Sequence, residues 1–343
     1  MSFHSTVSPI RFENNQLKLL DQRYLPARLD DLVCDTLEQA AQAITDLVVR
    51  GAPAIGITAA YGVYLGYLQA QQDVTYDFEQ ALTRLRNARP TAVNLAWAVQ
   101  QQQQLLTKNV GLSPAAMAEK LLDNAQAIHQ QDLQDNIAMG DFGAALIEAG
   151  SRVLTHCNAG ALATAGYGTA LGVIRSAWSQ QRLERVYASE TRPWLQGLRL
   201  TAWELAHDEI PVTLIVEGAA SSLFALQMID WVIVGADRIC ANGDVVNKVG
   251  TANLAILARH YGVKVMVAAP LNTIDMATES GDLVEIETRA ASEILAQNYA
   301  GNDYVSAWNP VFDVTPAALV SAIVTEKGVV LQPDSAKMQA LFD

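Results

Sequence analysis

The segment Thr155-His156-Cys157-Asn158-Ala159-Gly160 holds the side chain best equipped for chemistry. It follows the short apolar run Val153-Leu154 and precedes residues 161–168, which read as the opening of a helix. A cysteine at a strand-to-helix corner meets the partial positive charge and free N–H groups of the helix start. That setting favours a thiolate over a thiol. The same corner can accept a phosphate. Reactive sulfur and an anion seat in one turn point to chemistry on a phosphorylated small molecule. The plainer reading is a small buried residue packing a tight turn.

Other segments carry chemistry with equally plain alternatives. Val234-Gly235-Ala236-Asp237-Arg238 ends an apolar run with a carboxylate. Asp237 reads either as a general acid or base in a cleft or as a cap on the next turn. Asn247-Lys248-Val249-Gly250-Thr251 reads as a helix opening, its lysine set for phosphate or simply solvated. Arg50-Gly51-Ala52-Pro53-Ala54-Ile55-Gly56 joins two predicted helices. It is either a shaped turn or an anion seat at a helix start. Glu190-Thr191-Arg192-Pro193 ends a strand, with Pro193 in the first turn of the next helix and Gln196 facing the same cleft. Gly166-Tyr167-Gly168-Thr169-Ala170-Leu171-Gly172 imitates a dinucleotide fingerprint. Its glycines fall inside a predicted helix and its last spacing is too long, so close helix packing is the better reading. The five histidines and three cysteines form no HxxxH, HExxH or CxxC spacing, so no metal and no cofactor is expected. Cys240 reads as core.

The elements that must position these residues alternate in the second half. Residues 152–157, 184–189, 212–216, 231–234 and 263–268 read as strands. Residues 161–178, 194–207, 221–228 and 246–260 read as helices. Short runs of β-branched and apolar residues suit strands covered on both faces. Their alternation with helices predicts a doubly wound parallel sheet, which binds ligands beyond the carboxyl ends of its strands. Cys157, Glu190, Glu217, Asp237 and Asn272 fall at those ends. The first part reads as helices over 32–50, 55–72, 77–87, 93–106 and 114–134, after a small β element near 11–20. The glutamine run 100–104 reads as the polar end of a helix. The expected class is α/β: a Rossmann-like C-terminal domain, residues 135–343, and a smaller, mainly helical N-terminal domain, residues 1–134.

Bulk properties set limits. Half of the 343 residues are apolar, enough for a sizeable core. No apolar run approaches the ~20 residues of a membrane span, and the N-terminus lacks a signal-peptide pattern. A net charge of −13 argues against a general nucleic-acid surface. It leaves room for a small phosphate ester, which needs only local cations. Three scattered cysteines suit a reducing cytoplasm.

Together these segments resemble the S-methyl-5-thioribose-1-phosphate isomerase family, the aldose–ketose isomerases of methionine salvage, related to the alpha, beta and delta subunits of translation initiation factor 2B. The resemblance covers nearly the whole chain. It is carried by Arg50-Gly-Ala-Pro-Ala-Ile-Gly, Arg89-Pro-Thr-Ala-Val-Asn-Leu and His156-Cys-Asn-Ala-Gly-Ala-Leu-Ala-Thr-Ala-Gly-Tyr-Gly. It continues through Glu190-Thr-Arg-Pro, Gly235-Ala-Asp-Arg-Ile, Asn247-Lys-Val-Gly-Thr, Ala268-Ala-Pro and Phe312-Asp-Val-Thr-Pro. The resemblance implies a cytosolic homodimer and a Rossmann-like domain without a dinucleotide. It implies chemistry by Cys157 and Asp237, and substrate contacts from Arg50, Gly51, Ala52, Arg89, Gln196, Asn247 and Lys248. The chain departs from the family at Glu217-Gly218-Ala219-Ala220, where an Asp, a polar residue and Met-Ala are common.

The implied reaction converts 5-methylthioribose 1-phosphate to 5-methylthioribulose 1-phosphate. The anomeric oxygen carries phosphate, so an acid must help open the ring. Asp237 is expected to be that acid, its pKa raised by burial near the substrate phosphate. Cys157 then handles the proton at C2 or on the 2-hydroxyl, by an enol or a hydride route. Two other functions compete. One is a ribose-1,5-bisphosphate isomerase, which needs cations for a second phosphate. The other is a non-catalytic regulatory protein of the initiation-factor kind, which the joint presence of Cys157 and Asp237 argues against.

Overall fold

The computed structural model describes residues 5–89, 93–295, 299 and 301–343. Two compact units emerge. Of the described residues, one comprises 5–137 together with Gly160–Gly168; the other comprises Ala138–Ala159 and Thr169–Asp343.

The first unit opens with a three-stranded antiparallel sheet of β1 (Ile10–Glu13), β2 (Gln16–Leu20) and β3 (Asp31–Cys34). Helices α1 (Leu37–Thr45), α2 (Ala52–Gln72), α3 (Phe78–Asn87) and α4 (Val93–Lys108) follow, then α5 (Pro114–Ala145), whose residues from Ala138 on are counted with the second unit. Thr36 and Gln39 form a reciprocal capping box that starts α1. This corrects the helix expected from residue 32: β3 occupies its first part. Asp77 accepts the Gln80 N–H to start α3. α2 is buried on every side from Ala54 to Gly66, which makes it the centre of the unit's core. The glutamine run lies within α4 rather than at a solvated end. Gln102 is fully buried and donates to the carbonyls of Ala60 (3.1 Å) and Leu121 (3.0 Å).

The second unit contains β4 (Ser151–Thr155), α6 (Ala170–Ser179), β5 (Leu183–Ser189), α7 (Ala202–His207), β6 (Val212–Ile215), α8 (Ala220–Ala225) and β7 (Trp231–Val234). It continues with β8 (Arg238–Cys240), β9 (Val245–Lys248), α9 (Thr251–Tyr261), β10 (Lys264–Ala268), β11 (Ile274–Asp275), β12 (Phe312–Thr315), β13 (Ala322–Thr325), β14 (Gly328–Leu331) and α10 (Ser335–Gln339). The main sheet runs β6-β5-β4-β7-β10-β13-β14. Only β14 is antiparallel to its neighbour. The other six strands follow the doubly wound order, with the reversal between β4 and β7. Strand alternation feeds two apolar layers. Leu154, Val232, Val234, Val265 and Val267 join one. Val153, Trp231, Ile233, Met266 and Ala268 join the other. Burial on both faces is why these strands read as continuous apolar runs. A second sheet of β11-β8-β9-β12 branches off after β7.

Three expected helices are corrected here. The helix expected from residue 161 begins at Ala170. Only a 3₁₀ turn, Ala161–Ala163, precedes it, because Gly166, Tyr167 and Gly168 all have positive φ, which a right-handed helix excludes. Gly166 and Gly168 of the fingerprint-like segment therefore stand before the helix, and only Gly172 lies inside it. The helix expected over 246–260 divides into β9 and α9, separated at Gly250 with φ +103°. Asn247 and Lys248 thus end a strand and do not open a helix. The helix expected over 194–207 starts with a π-helical turn, Gly197–Thr201.

Candidate active site

Cys157 and Asp237 leave the sheet from neighbouring strands at the reversal point. The register pairs Val153 with Trp231, Leu154 with Val232 and Thr155 with Ile233. The two loops that follow are in contact: a Cβ on Gly235 would lie 2.6 Å from the Ala159 methyl. β5, next to β4, leads into Glu190, whose N–H donates to the Ile215 carbonyl of β6 at 2.8 Å.

Cys157 is half-buried with φ +64°, and Thr191 has φ +63°. Left-handed backbone at a β-branched residue is rare, and such conformations gather at functional sites. The two residues hold each other. The Cys157 N–H donates to Thr191 Oγ1 at 2.9 Å, and the Cys157 carbonyl accepts the Thr201 hydroxyl at 2.6 Å. His156 is buried beneath them. Its Nε2 lies 2.9 Å from the Val249 carbonyl, which only accepts, so Nε2 carries the proton. Nδ1 is then the acceptor for the Ser189 hydroxyl at 2.6 Å. Burial, aided by the charge of Lys248, pushes the His156 pKa down to about 4, so the ring is neutral. Gly250 allows this approach: a Cβ there would sit 3.0 Å from His156 Cε1 and 3.2 Å from Glu217 Oε1. The expected helix start beside Cys157 is absent, since the helix begins only at Ala170. The thiolate argument from helix charge, and the phosphate seat in the same turn, therefore lose their structural basis.

Asp237 is exposed, against the burial expected of a protonated acid. Its N–H donates to the Val246 carbonyl at 2.9 Å, which ties it to β9 beside Asn247 and Lys248. Asn247 is buried and donates to Thr251 Oγ1 at 3.0 Å. Lys248 Nζ donates to the Val311 carbonyl at 3.1 Å and lies 4.7 Å from the centre of the Phe312 ring. The free donors expected at the start of α9 are taken. Asp313 accepts the N–H groups of Gly250 at 2.7 Å and Ala252 at 3.1 Å, and burial raises its carboxyl pKa. Gln196 is buried just ahead of the π-turn. Glu217 accepts the Arg192 N–H at 3.0 Å. Burial raises its carboxyl pKa, and the charge of Glu190 adds to the shift.

Arg50, Gly51, Ala52 and Arg89 belong to the other unit. Gly51 has φ +88°, and a Cβ there would meet the Ala163 carbonyl oxygen at 2.4 Å, so only glycine fits. Gln22 Nε2 donates to the adjacent Leu162 carbonyl at 2.7 Å. The starts of α2 and α4 touch, since a Cβ on Gly56 would lie 3.0 Å from the Asn94 carbonyl oxygen. Arg50 and Arg89 precede those two helices, and both are half-buried. Pro90, Thr91 and Ala92 of the Arg89 motif lie outside the described residues.

Sequence reading passed over His156, Asn158, Ser189, Thr191, Thr201 and Glu204 as supports of the site. A signal was present for some of them: hydroxyl residues flank Glu190, and the conspicuous Cys157 sits between His156 and Asn158. Among the described residues, no group of three His, Cys, Asp or Glu side chains is arranged to hold a metal ion. Nor is any described helix long and apolar enough to cross a membrane.

The chain's similarities agree with this architecture. The family model for the initiation factor 2 subunit family matches residues 48–332. A methylthioribose-1-phosphate isomerase from Xanthomonas oryzae pv. oryzae is 54% identical, over 98% of this chain and 96% of its own. The crystal structure of 5-methylthioribose 1-phosphate isomerase from Pyrococcus horikoshii OT3 superimposes with a TM-score of 0.93 at 37% identity, covering 98% of this chain and 96% of that one. A structure described as the delta subunit of translation initiation factor eIF-2B from A. fulgidus gives 0.86 at 38% identity, covering 98% and 99%.

Proposed function

The chain belongs to the initiation factor 2 subunit family and, within it, to the methylthioribose-1-phosphate isomerases, and from that premise we propose that Cys157 and Asp237 interconvert 5-methylthioribose 1-phosphate and 5-methylthioribulose 1-phosphate. The observation that carries the assignment of these two residues is their exit from adjacent strands, β4 and β7, where the strand order reverses. That is where open α/β sheets receive ligands.

In the reading we favour, Asp237 gives a proton to the ring oxygen as the C1–O bond breaks. The positive charge at C1 is relieved when Cys157 takes the C2 proton, leaving an enol between C1 and C2. Cys157 then returns a proton to C1 while the 2-hydroxyl loses its proton to the Asp237 carboxylate, which yields the 2-ketone and restores both groups. In the hydride alternative, Cys157 takes the 2-hydroxyl proton while the C2 hydrogen moves to C1 with its electron pair. Asp237 is exposed without substrate, so the shielding that keeps it protonated must come from the bound sugar and its phosphate. Arg50, Gly51, Ala52, Arg89, Gln196, Asn247 and Lys248 are the proposed substrate contacts. Arginine and lysine supply the phosphate with charge-assisted hydrogen bonds. The proposal extends to a cytoplasmic homodimer that acts on a small sugar phosphate and binds no nucleic acid. It divides the chain into a helical domain, residues 1–134, and a catalytic domain, residues 135–343.

The test is turnover of 5-methylthioribose 1-phosphate beside ribose 1,5-bisphosphate, with Cys157→Ser and Asp237→Asn as controls. Ketose formation from the thio sugar, lowered by ~10²-fold or more in each variant, is the expected result. Near-normal turnover in either variant overturns that residue's role. Turnover of the bisphosphate alone moves the protein to the sister activity. No turnover of either favours the regulatory reading, to which the likeness to the A. fulgidus structure gives weight. Deuterium from solvent at C1 selects the enol route, and its absence selects hydride transfer.

A further inference from the structure

Behind Cys157 lies a connected set of hydrogen bonds whose donor and acceptor roles are fixed by Glu204, which accepts from both sides. The Asn158 side-chain amide spends its two N–H groups on Glu204 Oε1 at 2.6 Å and Thr201 Oγ1 at 3.2 Å. Thr201, already an acceptor from Asn158, gives its own hydroxyl proton to the Cys157 carbonyl at 2.6 Å. The second oxygen of Glu204 accepts Arg175 Nη2 at 2.8 Å. Arg175 Nε reaches Asp208 at 2.7 Å. The side chains of Arg175, Glu204 and Asp208 are completely buried.

A buried guanidinium with two carboxylates is a poor way to gain stability, since apolar residues of equal volume commonly serve as well. What it supplies is direction. A carboxylate accepts only, so Glu204 makes Asn158 turn its NH₂ group inward. Asn158 can then only donate to Thr201, which leaves the Thr201 proton for Cys157. Thr201 ends the π-turn Gly197–Thr201, an irregularity frequent at functional sites. Gly197 makes the turn possible: a Cβ there would fall 1.7 Å from the Ser189 carbonyl oxygen. From the other side, Thr191 holds the Cys157 N–H. Both backbone groups of the cysteine are thus clamped while its φ is left-handed, a conformation that persists only when its surroundings over-determine it.

We propose that Thr201 and Glu204 are positioning residues that set the direction of the Cys157 thiol through its peptide. This rests on the reading that Cys157 does the chemistry. The experiment compares Thr201→Val, which keeps the shape and removes the hydroxyl, with Thr201→Ser, which keeps the hydroxyl, and with Glu204→Gln. For each, kcat and KM on 5-methylthioribose 1-phosphate are measured. The rate of Cys157 alkylation by iodoacetamide against pH is measured without substrate. Cys34 and Cys240 are buried, with pKa values pushed up to about 12 and about 11, so they add little background.

Thr201→Val is expected to lower kcat about tenfold with KM within about twofold, and to move the alkylation profile. Thr201→Ser recovers kcat to within about threefold of the parent, and Glu204→Gln follows Thr201→Val. Equal losses in the valine and serine variants would mean packing alone and overturn the proposal, as would an unchanged kcat in the valine variant. Should Glu204→Gln fail to fold, the two Thr201 variants still decide. Should the parent turn over no sugar phosphate, the functional reading fails separately. The alkylation profile then decides the positioning: a shift in Thr201→Val that Thr201→Ser reverses upholds it, and coincident profiles overturn it.

Discussion

The neutral His156 beneath Cys157 predicts a specific loss of stability in mild acid. Its imidazole titrates at 6.5 in the unfolded chain and at about 4 in the folded one. Between those values the unfolded chain binds the proton and the folded chain refuses it. The stability held by His156 is therefore complete above pH 6.5 and is lost as pH falls towards 4. Linkage over that displacement gives a loss of about 2 kcal/mol between pH 7 and pH 5. Asp313 and Glu217, whose carboxyl pKa values are raised, work in the opposite sense and gain stability as pH falls. The clean measurement is therefore a difference. Urea unfolding of the parent and of His156→Gln is followed at pH 7 and pH 5. The variant is less stable at pH 7, because the Ser189 and Val249 groups lose their partner. Its deficit should shrink by about 2 kcal/mol at pH 5. A deficit that is the same at both pH values would refute the assignment of a buried ring that stays neutral.

Three further outcomes are expected. Arg175→Met removes the buried guanidinium that bridges Glu204 and Asp208, and unfolding should show a loss of about 3–5 kcal/mol. Gly197→Ala forces its methyl into the Ser189 carbonyl; urea unfolding should show a loss of about 3 kcal/mol or more, well above an ordinary overpacking penalty. Thiol titration with a disulfide reagent should find one fast thiol in the native protein and all three in denaturant, with Cys157→Ser removing the fast one.

The apolar strands of the central sheet were legible because burial on both faces leaves no polar alternation: β7 and β10 lie almost where hydropathy puts them. The location of Cys157 and Asp237 just past strand ends follows from the same runs. Where local composition and backbone conformation disagreed, the reading failed. Residues 161–169 are rich in alanine and look helical, yet Gly166, Tyr167 and Gly168 take positive φ and keep the segment open. Val246-Asn247-Lys248 looks like the start of the helix that holds α9, yet it belongs to β9, which pairs with β8 and β12. The donors that seemed free at the start of α9 are filled by Asp313, distant in the chain. Local pattern carries no information about such a partner.

What the sequence determined by itself is the set of buried strands, their alternation with helices, and the placement of reactive side chains at strand ends, because these depend on side-chain polarity repeating along one element. Tertiary structure alone decided that β4 lies beside β7, that Thr191 and Thr201 clamp the Cys157 peptide, and that His156 is neutral. Those properties depend on which distant groups share a buried space and on which of them can only accept a proton.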